Sequence, residues 1–440
     1  MRGSLVLLSV VSLAAALFSA EPPKLQEPYQ SIVNLTAAAP PEFAADALLR
    51  VVEWGKLADQ NARRTLIEQA FHLAGSAKFA VRMEGLPGAT GDTLSSSLSH
   101  SYALKLDVLS LQSRAVRDML PLDRGKAREL FQEIIRPTFA PLSCDDALIY
   151  EPSDYYQALI AVVNGAFTPT EKSKDEHIHL LLDSLGQATS AGQLAPGAQA
   201  VKAFVGTSAQ NQMLWARFNS LLESMQPDDR SFAASLAALS GLGLPEIQAS
   251  LEKYRQKSHG CESDTPTNQK KASTPKLVLY WQSTNSQQLL AAGQKLRFNS
   301  NKQLLTDADR STTEWQQQLA DYLNLIAGWT SDQESSDEVY YHEKCIVYTA
   351  LLELVPSGSQ NDKILADYVD FISGSGLYQE SPAEWFVEPR MLLDRFQSSQ
   401  AQRSKVLAAY QNSGNPVLTL EVALEKTLSG NLPSWAISEK

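Results

Sequence analysis

Residues 104–135 read LKLDVLSLQSRAVRDMLPLDRGKARELFQEII. Leu104, Leu106, Val108, Leu109, Leu111 and Val116 form one apolar series; Ala127, Leu130, Phe131, Ile134 and Ile135 form a second. Steps of three and four residues bring apolar side chains onto one face of a helix with 3.6 residues per turn. The stretch therefore predicts two consecutive amphipathic helices. The same period extends outward from it. Phe43, Ala44, Leu48, Val51 and Val52 make one stripe, and Leu66, Ile67, Ala70, Phe71 and Leu73 the next. Met213, Leu214, Phe218, Leu221, Leu222 and Met225 make another, followed by Phe232, Leu236 and Leu239.

Start and stop signals agree with the stripes. Ser173-Lys174-Asp175-Glu176 and Ser381-Pro382-Ala383-Glu384 have the spacing of capping boxes, and Asn415-Pro416 opens a further helix. Gly165, Gly192, Gly206 and Gly241 fall where helices should end. Pro389 should end or kink the helix begun at Pro382, because it lacks a backbone donor and crowds the preceding turn. The one strand candidate is Leu277-Val278-Leu279-Tyr280-Trp281, and it reads better as a helix start because the helical period continues from Gln287 to Phe298. Asp59, Arg64 and Leu66 are echoed 64 residues later by Asp123, Arg128 and Leu130. The expected fold is all-α: an irregular α-solenoid, or antiparallel helical-repeat array. The pattern of a regular tetratricopeptide repeat is not found.

The 440-residue chain is long for a single helical core. Residues 1–20 have the layout of a signal peptide: Met1-Arg2-Gly3, an apolar run from Leu5 to Leu17, then Ser19-Ala20 before Glu21-Pro22-Pro23. Phe18 sits where a small residue is preferred, so the alternative is an uncleaved anchor. Residues 21–41 read as an extended lead-in and hold the sequon Asn34-Leu35-Thr36. Residues 42–258 form an N-terminal helical region and residues 276–440 a C-terminal one. Between them, residues 259–275 hold no large apolar side chain and read as a disordered linker. The expected location is exported: periplasmic, secreted or attached to the cell envelope. Contact with a membrane is expected only through residues 1–20, if they are retained.

The net charge of −11 is spread along the chain without a basic block. Phosphate backbones are bound by clustered Lys and Arg, so no nucleic-acid partner is expected. Cys144, Cys261 and Cys345 are far apart, and an odd, scattered count does not build a disulfide framework. The sequence leaves open whether any two of them pair.

Four constellations could carry chemistry. His177 and His179 are two apart, so on a helix they point in different directions and share a metal poorly. In Tyr341-His342-Glu343-Lys344-Cys345, His342 and Cys345 share a helix face and could hold zinc or form a nucleophile pair. Flanking Val339, Ile346, Val347 and Leu351 instead make Cys345 a small core residue. Ser143-Cys144-Asp145-Asp146 reads as a helix cap more readily than as an acid–base pair. Trp315, Tyr322, Trp329, Tyr340 and Tyr348 enrich the C-terminal region in aromatics at helix-packing spacing. GxSxG, GxxxxGK[ST] and HExxH are absent from the sequence. A Ser/His/Asp relay has no fixed spacing and is recognised by geometry alone.

No residue is therefore assigned a catalytic, cofactor-binding or metal-ligating role, and no cofactor is expected. The expected function is an exported helical-repeat module that binds or scaffolds a protein or peptide. The alternative is an exported carbohydrate-active enzyme on an all-helical toroid. It would use a carboxylate pair drawn from Asp145, Asp146, Glu151 and Asp154.

Overall fold

Side-chain caps set many of the helix starts, and the apolar stripes decide what those helices pack against. In the computed structural model, residues 25–54, 56–85, 93–143, 146–225, 230–257, 281–331 and 336–428 are described. The N-terminal helices are α1 (Tyr29–Thr36), α2 (Pro41–Trp54), α3 (Gln60–Ala74), α4 (Leu94–Ala103), α5 (Val108–Met119), α6 (Arg124–Glu133) and α7 (Ser153–Gly165). They continue through α8 (Pro169–Ser173), α9 (Glu176–Gly186), α10 (Leu194–Lys202), α11 (Ser208–Ser224), α12 (Ser231–Gly241) and α13 (Gln248–Lys257). Asp59, Asp107 and Asp123 cap α3, α5 and α6 by accepting from backbone N–H groups of the first turn. The echo noted in the sequence is thus two Asp-capped helices. They also meet: Arg64 donates to the Leu122 carbonyl at 2.7 Å.

The C-terminal helices are α14 (Thr284–Arg297), α15 (Asp307–Arg310), α16 (Thr313–Gly328), α17 (Asp337–Leu354), α18 (Ser359–Ser373), α19 (Leu377–Glu380), α20 (Pro382–Arg395), α21 (Gln400–Asn412) and α22 (Pro416–Thr427). Packing follows chain order in part: α2 on α3, α3 on α5, α5 on α7, and later α17 on α18, α18 on α21 and α21 on α22. Among the described residues the protein is all-α apart from one short antiparallel pair, β1 (Met83–Gly85) and β2 (Leu148–Tyr150), with Glu84 opposite Ile149. Three residues per strand carry too little alternation to stand out in a sequence. Among the described residues, no helix is long and apolar enough to cross a membrane.

The two regions pack on each other. Helix α22 lies on α1 and α2, and α20 lies on α4. Buried ion pairs stitch this contact. Glu421 of α22 takes both guanidinium nitrogens of Arg50 in α2, at 2.8 and 3.2 Å, and Arg390 of α20 at 2.8 Å. Asp46 holds Arg50 at 3.3 Å and Arg114 at 2.6 Å, and Glu425 holds Arg403 at 2.5 Å. Burial pushes the Glu421 carboxyl up, but Arg50 and Arg390 outweigh it and hold it below the usual range.

Several local expectations are corrected. Residues 29–36 are helical, not extended, because Ile32 and Val33 bury themselves in the core. Ser173 caps nothing: the capping box is Thr168 with Glu171, and α9 starts after Asp175. Ser381 precedes α20 without a side-chain cap, whereas Asn415 caps α22 as expected. Gly192 opens a helix rather than ending one. Leu277–Tyr280 lies outside the described residues.

Helix α20 continues through Pro389. A proline cannot donate to the carbonyl four residues back, here that of Trp385. The Tyr341 hydroxyl donates to that carbonyl instead, at 2.7 Å, so the orphaned acceptor is satisfied from α17. The Tyr410 hydroxyl donates to the Pro389 carbonyl at 2.8 Å.

Replacing Glu421 by Ala should cost about 3–5 kcal/mol, because it leaves two buried guanidinium groups facing one another. Urea unfolding measures this. A midpoint unchanged from wild type would show that the contact between the regions does not depend on Glu421.

Candidate functional site

The site grows from the first turns of α17, which Ser336 caps through the Val339 N–H. The pentapeptide Tyr341–Cys345 is buried throughout, and its residues point to different neighbours. Tyr341 serves Trp385, as above. Glu343 accepts from the Trp281 backbone N–H. Trp281 sits at φ +62°, a left-handed conformation unusual for a bulky residue, so the carboxylate helps fix an otherwise strained position. The Lys344 ammonium donates to the Trp329 carbonyl at 2.9 Å and the Tyr340 hydroxyl at 2.8 Å. It also faces the Tyr340 and Phe371 rings at 5.1 and 4.9 Å. Burial lowers its pKa to about 8. Burial pushes the Cys345 thiol well up, so it is no activated nucleophile.

His342 turns toward α4 and α20. Its Nε2 lies 2.7 Å from Ser97 Oγ and 3.5 Å from Glu384 Oε1, and its Nδ1 lies 2.9 Å from Glu388 Oε1. Ser97, His342 and Glu388 thus stand in the order of a serine hydrolase relay. The charge state argues against that use. Burial favours the neutral ring, but Glu384 and Glu388 outweigh it and raise the pKa to about 9. An imidazolium donates from both nitrogens and has no lone pair to accept a proton from Ser97. The Ser97 N–H is also spent inside α4, on the Thr93 carbonyl at 3.1 Å. At neutral pH the cluster is a polar clamp across α4, α17 and α20.

Two cavities adjoin this clamp. A cleft of about 350 Å³ is walled by Ser97, His342, Glu388, Arg297, Glu353 and Arg395, with Met391 at its edge. A groove of about 310 Å³ runs between α14, α16 and α17 past Leu290, Leu296, Phe298, Tyr322, Val347 and Leu351. Both cavities touch Arg297, Ile346 and Ala350. Leu290, Phe298 and Ile346 remain about two-fifths exposed there, at 40%, 39% and 37%. Gly293 keeps the groove open on the α14 side, since a Cβ there would stand 2.9 Å from the Tyr322 hydroxyl. Of the charged groups in the cleft, Glu388 is held by His342, and Glu353 accepts from Arg395 at 2.5 Å. Among the described residues, Arg297 makes no ion pair.

The other sequence candidates lie elsewhere. His177 is buried against Phe204, with ring centroids 5.6 Å apart, while His179 is exposed. Phe167 and Phe204 cover the first. Asp146 accepts from the Ser143 N–H and hydroxyl at 2.6 and 3.0 Å. Glu151 pairs with Arg82, and Asp154 with Lys105 and Arg117. Cys144 and Asp145 lie outside the described residues, as does Cys261. Ser97, Arg297 and Glu388 were not singled out in the sequence. Glu384 and Glu388 are four apart on α20, a spacing that places two carboxylates on one helix face. The described residues contain no group of three or more His, Cys, Asp or Glu that could hold a metal ion. The two glutamates address different ring nitrogens.

No known protein family, curated protein or solved structure matches the chain. The assignment within the all-α class therefore rests on the fold and site alone.

The His342 pKa is raised from 6.5 to about 9 on folding. The clamp's contribution to stability is therefore complete below about pH 6.5 and is lost as pH rises through 9. A shift of that size corresponds to roughly 3 kcal/mol. Urea unfolding between pH 6 and 10 should show wild type losing this increment while His342→Asn does not. Parallel pH profiles for the two proteins would refute it. At pH 7, Ser97 should resist a fluorophosphonate probe, and labelling at Ser97 detected by mass spectrometry would restore the hydrolase reading.

Proposed function

We propose that the protein is an exported binding module that takes a peptide, or an extended segment of a protein partner, along the joined cleft and groove of α14, α17 and α20. The observation that carries this reading is the adjacency of a cleft bearing several charged groups to a partly exposed apolar groove, with Arg297, Ile346 and Ala350 in the walls of both. Ligand sites are typically cavities of about 300–1,000 Å³ with mostly apolar walls and a few placed polar groups. The groove has such walls and the cleft supplies such groups. Export is supported by the layout of residues 1–20, which the structure does not describe.

The enzymatic alternative has weaker support. Asp146 is committed to Ser143 in its own loop, and Glu151 and Asp154 to ion pairs, away from both cavities. The Ser97–His342–Glu388 order favours a hydrolase geometrically, and the protonated ring opposes it.

The test is selection from a displayed random hexapeptide library on the full-length protein. Wild type should enrich sequences bearing aliphatic residues. The double variant Leu290→Lys, Ile346→Lys changes two partly exposed positions, so folding should survive. It should weaken the selected peptides about tenfold or more by fluorescence anisotropy, equivalent to about 1.4 kcal/mol. Binding unchanged in that variant would remove the groove from the binding reading.

A further inference from the structure

We infer that Arg297 anchors a carboxylate of the bound peptide, an acidic side chain placed between apolar residues in the groove and polar ones in the cleft. The inference rests on the peptide-binding reading above and adds the chemistry of the ligand.

Arg297 is the last residue of α14 and is half-buried in the wall common to both cavities. Its backbone is pinned: the Leu305 N–H donates to the Arg297 carbonyl at 2.8 Å, and Phe298 and Leu304 form a bridge beside it. Among the described residues its guanidinium has neither an ion-pair nor a side-chain hydrogen-bond partner, although the chain carries an excess of carboxylates. Its neighbours in the cleft are all committed. Arg395 holds Glu353, and His342 is held by Glu388 and Glu384. Favourable placement near the end of α14 accounts for a basic residue there. It does not account for a cation set into a cavity wall, partly removed from water, beside an apolar groove.

A partly desolvated guanidinium is matched by a planar anion that can accept two parallel hydrogen bonds. A carboxylate has that shape. The position of Arg297 between the two cavities says where on the ligand the charge lies. A ligand filling only the groove would be apolar up to its end and would leave the cleft empty. A ligand spanning both carries its charge internally, with apolar side chains toward Leu290 and Val347 and polar groups toward Ser97 and Arg395. An acidic residue next to aliphatic ones in an extended peptide meets these conditions; an alkyl carboxylate meets only the first.

The hexapeptide selection separates the outcomes. Wild type should enrich Glu or Asp adjacent to aliphatic residues. Arg297→Gln should lose the acidic preference and keep the aliphatic one. It should bind a selected acidic peptide about tenfold or more weaker, as expected for loss of a charge-assisted pair. The Gln- or Asn-substituted peptide should change less than twofold. Arg297→Lys should fall between, since it keeps the charge and loses the fork. Arg297 holds no other side chain, so thermal melting should match wild type and exclude a folding defect. Aliphatic enrichment without acidic residues would overturn this inference and leave the binding function standing. No enrichment over a protein-free control would overturn both. Arg297-dependent binding of sodium decanoate with no peptide enrichment would make the ligand an alkyl carboxylate and overturn the peptide assignment.

Discussion

Glu421 is the constraint on which the arrangement of the helices turns. A carboxylate in the protein interior is tolerable only with charges and donors around it. Here two arginines from distant parts of the sequence supply them, Arg50 from α2 and Arg390 from α20. A single side chain thus fixes three helices relative to one another. Because α20 also carries Glu384 and Glu388, the placement of α20 decides where His342 finds its partners. The clamp on α4, and hence the cleft beside it, inherits its geometry from that one buried acid.

The same helix explains how α17 can be so polar and yet so buried. Its residues Tyr341 to Lys344 each meet a specific demand: a carbonyl freed by Pro389, two glutamates from α20, a backbone N–H at Trp281, and the Trp329 carbonyl. A sequence that looks chemically reactive is here spent on satisfying buried polar groups. The reactive-looking residues and the open surface are therefore different sets. What faces the cavities with capacity to spare is Arg297 and a partly exposed apolar wall.

The helical class was legible because amphipathic period and caps act locally: Asp59, Asp123 and Asn415 do in the structure what their positions suggest. Errors arose where a distant contact overrode a local rule. Pro389 should end or kink a helix; α20 does not end there, and the Tyr341 hydroxyl of another helix takes the carbonyl that the proline leaves unpaired. Residues 29–36 look like a lead-in, and they fold because the core offers Ile32 and Val33 a place. The site was less legible than the fold. Ser97 lies in a serine-rich stretch with no apolar stripe, and Arg297 is one basic residue at a helix end among several. Their significance comes from cavities formed by helices far apart in sequence. Only the spacing of Glu384 and Glu388 offered a local signal, and it reads equally well as ordinary helix surface.

The packing of α1 against α22 brings the first and last described helices side by side. Chain order and spatial order therefore form a loop: the N-terminal helices lead away from this meeting point and the C-terminal helices return to it. Sequence connectivity is in this sense incidental to the architecture. A chain begun at Trp281, run to α22, joined by a short tether to α1 and ended at Lys257 would contain every helix-to-helix contact described.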